Sequence, residues 1–120
     1  MSIAALHVDI ETQGELVICH LAGELDAYSA PRFREAISDV CSEANVALDL
    51  SGVPFVDSAG LAALVCGVRR IREGGGRVAL YAPRRNVGHL IRIAGFDRVA
   101  PLLGDLAEAR AELLLEPAGA

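Results

Sequence analysis

The sequence predicts an α/β fold in which helices pack on one central sheet. The chain opens with two strand-like runs, and after them short apolar runs alternate with segments of helical periodicity. Strands that alternate with helices are typical of parallel strands joined by crossover helices. We therefore expect a mixed sheet, with an N-terminal hairpin followed by parallel strands, packed by about four helices.

Size and composition fit one domain with an aliphatic core. The chain has 120 residues, of which 52% are hydrophobic and none is Trp. A chain of this length can bury a core without disulfides or a metal. Cys19, Cys41 and Cys66 are widely spaced and form no CxxC pair, so we expect no metal and no cofactor. A reducing cytoplasm is the expected setting.

The charge and the ends of the chain restrict the partners further. The net charge is −5, and no basic cluster is interleaved with aromatic residues, so we expect no binding to nucleic acid. No signal peptide and no apolar run of spanning length is found, so we expect no membrane contact. Residues 1–120 are predicted to form a single domain, with its core at about 4–114 and a flexible tail at 116–120.

The first elements are a hairpin and a helix. The runs "ALHVDIE" and "ELVICHLA" alternate apolar and polar residues around a turn at Gln13-Gly14. A helix then begins with Ser29 as N-cap and Pro31 in its first turn. Its predicted apolar stripe consists of Phe33, Ile37, Val40, Cys41 and Ala44.

The rest of the chain continues the alternation. The buried strand "VALDLS" precedes a helix that starts at Ser58 and ends at Gly74-Gly75-Gly76. The strand "RVALYA" leads through Pro83 into a third helix, which Gly95 ends and whose predicted buried residues are Val87, Leu90, Ile91 and Ala94. "DRVAPL" is predicted to be a short strand or an extended piece, and Asp105 with Glu108 forms a capping box for a final helix.

Ser58 in "VPFVDSAGL" allows several interpretations. A serine nucleophile needs G-x-S-x-G, but Val56 stands in the place of the first glycine, and the three histidines offer no suitable base. Ser58 is instead expected to cap the helix. A hydroxyl at a helix start is also accessible, and the free N–H groups near Ala59 and Gly60 suit an anion such as a phosphate.

The outward face of this helix carries small residues. A helical wheel places Ala59, Ala62, Ala63 and Cys66 on the side of this helix opposite the side expected to face the core. Small side chains would let the backbone of a partner approach closely, although a choice of alanine for helix propensity explains them equally well.

Two segments together resemble a known family. "LDLSGVPFVDSAGLAAL" and, upstream, "LAGELDAYSAPRF" are similar to the marked segments of the anti-sigma factor antagonists, which are single STAS domains of bacteria. The order and spacing of the elements match from about Ala4 to Leu114. Many members of the family carry Ser or Thr after the acceptor serine, whereas this chain has Ala59.

The resemblance implies a switch between partners. The unphosphorylated antagonist would bind an anti-sigma factor of the GHKL-type serine kinase fold and so free a sigma factor, which it does not touch itself. Phosphorylation of Ser58 would end that binding, and a serine phosphatase would restore it. The implied partner-binding residues are Glu24, Asp26, Asp57, Ser58, Ala59, Gly60, Ala62, Ala63 and Cys66. The protein itself would be no enzyme, and would be a monomer or a weak dimer.

Other interpretations stay open. Glu24 and Asp26 can be turn residues before the helix, and Asp49 can be a strand-end acid that meets loop amides. A STAS domain can also be an accessory or scaffold subunit of a transporter or of a stress-signalling complex. A nucleotide-binding domain is a third class, but the chain has no Walker glycine loop and no GxGxxG.

Overall fold

The computed structural model describes residues 5–40 and 44–114. Their elements are, in chain order, β1 (His7–Gln13), β2 (Leu16–Ala22), α1 (Ala30–Ser38), β3 (Asn45–Gly52), α2 (Ser58–Glu73), β4 (Arg77–Tyr81), α3 (Arg85–Ile93), a 3-10 helix (Phe96–Arg98), β5 (Leu102–Leu103) and α4 (Leu106–Leu114). The five strands form one sheet in the order β1-β2-β3-β4-β5. The hairpin β1-β2 is antiparallel and the other pairs are parallel, which confirms the predicted mixed sheet.

The two faces of the sheet carry different layers. On one face, alternate residues of β2, β3 and β4 pack with α1, α2 and α3 into the larger core, in which Phe33, Leu48 and Leu64 are fully buried. On the other face, α4 packs through Ala109 and Leu113 onto a smaller cluster. The period of two along each strand explains this division, because neighbouring residues of a strand point to opposite faces.

Helix α1 is shorter than predicted. It ends at Ser38, whose Oγ donates to the Arg34 carbonyl oxygen at 2.8 Å, and Asp39 is the C-cap. A hydroxyl that bonds back to the preceding turn competes with continuation of the helix. Val40 and Ala44 therefore follow the helix, although both still pack against the core. The prediction for Cys41 lies outside the described residues, as does that of a flexible tail at 116–120.

Near α3, one prediction is wrong and another holds only in part. Ala94 was expected to be buried but is exposed, because α3 ends at Ile93 and Ala94 is its C-cap. The segment "DRVAPL" is not extended throughout: the 3-10 helix includes Asp97 and Arg98, and only Leu102–Leu103 pairs with β4. The buried Phe96 explains the turn, since it anchors this segment in the larger core.

The helix caps follow the predicted chemistry at one end and depart from it at another. Asp105 Oδ1 accepts from the Glu108 N–H at 2.9 Å, as expected for the start of α4. At α1, the Ser29 side chain does not cap. Asp26 Oδ1 instead accepts from the N–H groups of Tyr28 and Ser29, each at 3.0 Å. Ser29 Oγ does not accept from the helix N–H groups and instead donates to the Glu24 carbonyl oxygen at 2.8 Å.

No helix in the described ranges has both the length and the apolar content needed to cross a membrane.

A candidate docking surface at the start of helix α2

The two marked segments of the sequence lie side by side. One segment contains the loop from β2 to α1, with Leu25, and the other contains the loop from β3 to α2, with Val56. Leu25 and Val56 form a parallel bridge. The Leu25 N–H donates to the Phe55 carbonyl oxygen at 3.0 Å, and the Asp57 N–H donates to the Leu25 carbonyl oxygen at 3.2 Å. Two segments far apart in sequence therefore form one continuous surface.

Asp57, and not Ser58, caps helix α2. Asp57 has an extended backbone, and its Oδ1 accepts from the Gly60 N–H at 2.8 Å. The prediction that Ser58 is the N-cap is therefore wrong. Ser58 is the first helical residue, is exposed, and its hydroxyl makes no hydrogen bond to any residue that the structure describes. Because the capping role belongs to Asp57, the Ser58 hydroxyl is free for a modifying enzyme.

The small residues of α2 serve internal packing as well as the surface. A Cβ atom at Gly60 would lie 1.9 Å from the Leu25 carbonyl oxygen, and one at Gly67 would lie 2.8 Å from Cε2 of Phe33. Ala63 is on this same face and is only 1% exposed. The predicted placement of Ala63 on the outward face is therefore wrong, because the close approach of α1 and of the Leu25 loop extends the buried face. Gly60 is buried too, so neither Gly60 nor Ala63 is open to a partner.

The other small residues remain available. Ala62 and Cys66 are exposed and Ala59 is partly exposed, as the helical wheel predicted. Two exposed aromatic residues on the two loops of the site were not predicted from the sequence. They are Tyr28, whose exposed fraction is 87%, and Phe55, whose exposed fraction is 47%. The signal was present in the sequence, since each is an aromatic residue in a turn or loop beside a candidate site residue. Exposed aromatic side chains are frequent anchors in protein interfaces.

Glu24 and Asp26 differ in the hydrogen bonds that their carboxylates make. The Asp26 carboxylate is engaged by the turn amides, as described above, so the prediction of turn chemistry is confirmed for this residue. The carboxylate of Glu24 makes no hydrogen bond or ion pair with a described residue and is exposed. Both border a groove of about 440 Å³ that also includes Tyr28 and Arg32. The groove gives the surface a depression beside its acidic rim.

Helix α3 supports the loop that precedes Ser58. Arg84 Nε donates to the Ser51 carbonyl oxygen at 3.1 Å, and Asn86 Nδ2 donates to the Pro54 carbonyl oxygen at 2.9 Å. Carbonyl groups of a loop would otherwise depend on water for their hydrogen bonds. The loop is thus held by α3 on one side and by the Leu25 segment on the other, which fixes the position of Ser58.

A second polar cluster lies on the α4 face of the sheet. His20 Nδ1 is 2.7 Å from Asp49 Oδ2, and His20 Nε2 is 2.9 Å from Glu11 Oε1. Asp49 Oδ1 also accepts from the Ser51 N–H at 2.9 Å; because Ser51 is still part of β3, Asp49 bonds to an amide of its own strand and not to the predicted loop amide. The two carboxylate partners of His20 come from β1 and β3 and were not predicted from the sequence.

The cluster shifts the pKa values of its members in favour of the charged forms. Hydrogen bonds to Glu11 and then Asp49 raise the pKa of His20, and the bond to His20 lowers the pKa of Glu11. Burial acts to raise the pKa of Asp49, but the Ser51 N–H and His20 outweigh it and the net shift is downward. Burial raises the pKa of the neighbouring Tyr81 to about 12, helped by the charge of Asp49.

The arrangement does not support nucleophilic chemistry at Ser58. Both ring nitrogens of His20 are occupied by carboxylates, and His89 is exposed on α3. Within residues 5–40 and 44–114, no group of three or more His, Cys, Asp or Glu side chains is placed to hold a metal ion. What the surface around Ser58 offers is a fixed hydroxyl, small residues and two aromatic side chains, which suit contact with another protein.

A five-stranded mixed sheet with helices on both faces, and with its candidate site on an exposed surface, defines a small α/β domain. The chain belongs to the STAS domain family, and the match to that family covers residues 7–109. It is 24% identical over 111 residues to the anti-sigma F factor antagonist of Paenibacillus polymyxa, covering 90% of this chain and 95% of that protein.

Solved structures show the same architecture. An anti-sigma factor antagonist from Mycobacterium paratuberculosis superposes with a TM-score of 0.75 at 26% identity, over 91% of this chain and 94% of that chain. The murine anion transporter Slc26a9 contains the same fold, with a TM-score of 0.74 at 19% identity over 86% of this chain but only 18% of the transporter. The resemblance to the anti-sigma factor antagonist family, predicted from the two marked segments, is thus confirmed.

Proposed function

We propose that this protein is an anti-sigma factor antagonist that acts by partner switching. In its unphosphorylated form it binds an anti-sigma factor that is also a serine kinase of the GHKL type, and a sigma factor is released. The observation that carries the proposal is Ser58: an exposed hydroxyl with no hydrogen bond to any described residue, held at the first position of α2 beside the Leu25 loop. The family and the P. polymyxa relative support it.

Phosphorylation at Ser58 would change charge and leave the fold intact. A phosphate adds about −1.5 to −2 charges and would lie at a helix N-terminus, where the helix dipole and free N–H groups favour an anion. The same charge would face the partner beside Asp57 and Glu24, in a surface that has to be desolvated on binding. A hundred- to thousandfold loss of affinity corresponds to roughly 3–4 kcal/mol. Desolvation of a phosphate without a matching cation is large enough to supply it.

The remaining parts of the scheme follow from this switch. A serine phosphatase returns the protein to its binding form, and the sigma factor is affected only through the anti-sigma factor. The protein acts in the cytoplasm as a binding partner and not as an enzyme, and as a monomer or weak dimer. The partner-binding residues are the exposed or partly exposed members of the predicted set, with Tyr28 and Phe55 added: Glu24, Asp26, Asp57, Ser58, Ala59, Ala62, Cys66, Tyr28 and Phe55.

The first experiment is phosphosite mapping by mass spectrometry on the protein isolated from its own cells, in growth and under stress. We expect a phosphate on Ser58 whose occupancy changes with condition. A Ser58 that is unmodified in every condition would contradict the switch and leave a constitutive adaptor.

The second experiment measures binding with charge variants. Tagged wild-type protein, Ser58→Ala and Ser58→Asp are used to capture partners from lysate, and recovered proteins are identified. We expect a GHKL-type kinase with the first two and its loss with Ser58→Asp. Ser38→Asp is the control, because it adds the same charge at an exposed position on α1. Equal recovery of the kinase by Ser58→Asp would refute the charge mechanism.

An accessory or scaffold role in a transporter or a stress-signalling complex is the second candidate. The fold shared with part of the murine anion transporter favours it, since the same domain there belongs to a transport protein. Recovery of a transport ATPase, with no GHKL-type kinase, would support this second function over the first.

A further inference from the structure

Five arginines converge around the C-terminal half of α2, far from Ser58. Three belong to α2, one to the adjacent α1 and one to the 3-10 helix; they are Arg69, Arg70, Arg72, Arg34 and Arg98. They border two grooves, one of about 440 Å³ between α1 and α2 and one of about 420 Å³ between α2 and the 3-10 helix. Because both grooves include Arg69 and Glu73, they form one surface, which we call the basic band.

Internal contacts do not explain these side chains. Arg72 donates to the Val99 carbonyl oxygen. The other four guanidinium groups make no ion pair and no hydrogen bond with any residue in the described part of the chain. All five arginines are exposed, and Glu73 is the one acidic residue among the residues that line the two grooves. Positive charge is thus concentrated on one surface of a chain whose net charge is −5.

The helix dipole accounts for only part of this arrangement. Arg70 and Arg72 lie in the last turn of α2, where a cation is stabilised by the partial negative charge of the helix end. Arg34 lies in the middle of α1, and Arg98 comes from a separate element, so neither gains from that end. The convergence of charges from three elements is left unexplained by their local structure.

We propose that the basic band is a second docking surface and that it binds an acidic segment of a partner protein. Guanidinium groups form bidentate hydrogen bonds with carboxylates, and Arg34, Arg69 and Arg70 border the same groove. The floor of that groove includes Ile37, Gly67 and Cys66, which can receive an apolar side chain. The occupant is therefore an acidic peptide segment that also carries an apolar residue.

Nucleic acid fits this surface less well. No aromatic residue lines either groove, so bases would have no side chain on which to stack.

The basic band lies further along α2 than Ser58 and shares Cys66 with the surface proposed for the anti-sigma factor. At 1.5 Å per residue, Arg69 lies about 16 Å from Ser58 along the axis of α2. Binding there goes beyond the proposed switch, and its test does not depend on the state of Ser58.

The test uses the full chain and a fluorescein-labelled peptide in which pairs of Glu flank a single Leu, measured by fluorescence anisotropy. We expect binding that weakens as salt is raised. Arg34→Glu/Arg69→Glu should weaken it by about tenfold or more, because two carboxylate pairs are replaced by repulsion. The control, Arg85→Glu/Arg92→Glu, changes the net charge equally at exposed positions on α3 and should stay within about twofold of wild type.

Three further measurements make the outcome decisive. Circular dichroism melts show whether both double variants remain folded, and Ser58→Asp should bind the peptide as wild type does. A labelled thymidine oligonucleotide tests the nucleic acid alternative. The proposal is overturned if the wild-type protein does not bind the peptide, if the α3 control loses as much affinity as the band variant, or if the oligonucleotide binds more tightly than the peptide.

Discussion

The two ends of helix α2 differ in what holds their side chains. At the N-terminal end, Asp57 accepts from Gly60, Leu25 bonds on both sides of Val56, and α3 supports the preceding loop. At the C-terminal end, the described contacts of the arginines reduce to the bond from Arg72 to Val99. The first surface is therefore fixed before a partner arrives. The second consists of long side chains that a partner has to order, at a cost of up to about 2 kcal/mol of rotamer entropy each.

The largest expected effect breaks the rigidity of the N-terminal end. Gly60→Ala places a Cβ atom 1.9 Å from the Leu25 carbonyl oxygen, so the helix or the loop has to move. We expect a loss of roughly 3 kcal/mol in the free energy of unfolding, measured by urea denaturation. Gly104→Ala is the matched control, because its Cβ would meet no atom closer than 3.5 Å. Equal stability of the two variants would show that the loop yields easily.

A smaller effect separates the cap from the switch. Asp57→Ala removes the bond from the Gly60 N–H and should cost about 1 kcal/mol of stability. Ser58→Ala removes no hydrogen bond and should stay within about 0.5 kcal/mol of wild type. Thermal unfolding followed by circular dichroism measures both. If Ser58→Ala were the more destabilising of the two, Asp57 would not be the principal cap.

The smallest effect lies outside α2 and depends on pH. The raised pKa of His20 means that its contribution to stability is complete below its ordinary value of 6.5 and is lost as the pH rises through the folded-state value. Glu11 and Asp49 have lowered pKa values, so their contributions are present above their ordinary values and are lost as the pH falls further. Two further titratable residues lie beside this cluster: Asp9 pairs with His20 across the hairpin, and Tyr81 pairs with Asp49.

The variant His20→Gln tests this dependence. The stability difference between wild type and His20→Gln should be largest between about pH 5 and 6 and should shrink by about pH 8. Because His20 is 37% exposed, solvent screens the pairs, and the effect should be smaller than that of Asp57→Ala. Urea midpoints measured across this range show the trend, and a difference that grows with pH would contradict the assigned charge states.

The order of the elements was predictable from the sequence because alternation and helical periodicity are local signals. The capping residue was not, since Asp57 and Ser58 are both favoured N-caps and only the backbone shows that Asp57 is the extended one. Ala63 was misplaced for a similar reason. A helical wheel treats α2 alone, whereas the approach of Phe33 to Gly67 brings α1 against its flank. The pairing of His20 with Asp49 depends on the strand order, which the sequence does not state.

The length of α2 has a consequence for how its ends communicate. Its 16 residues extend over about 24 Å, three times the screening length of about 8 Å at physiological ionic strength. A charge placed at one end is therefore largely screened at the other, so the charge state of Ser58 should have little electrostatic effect on a ligand at the basic band. A single partner long enough to reach both ends would gain through effective concentration, and loss of one contact would weaken the complex without dissolving it.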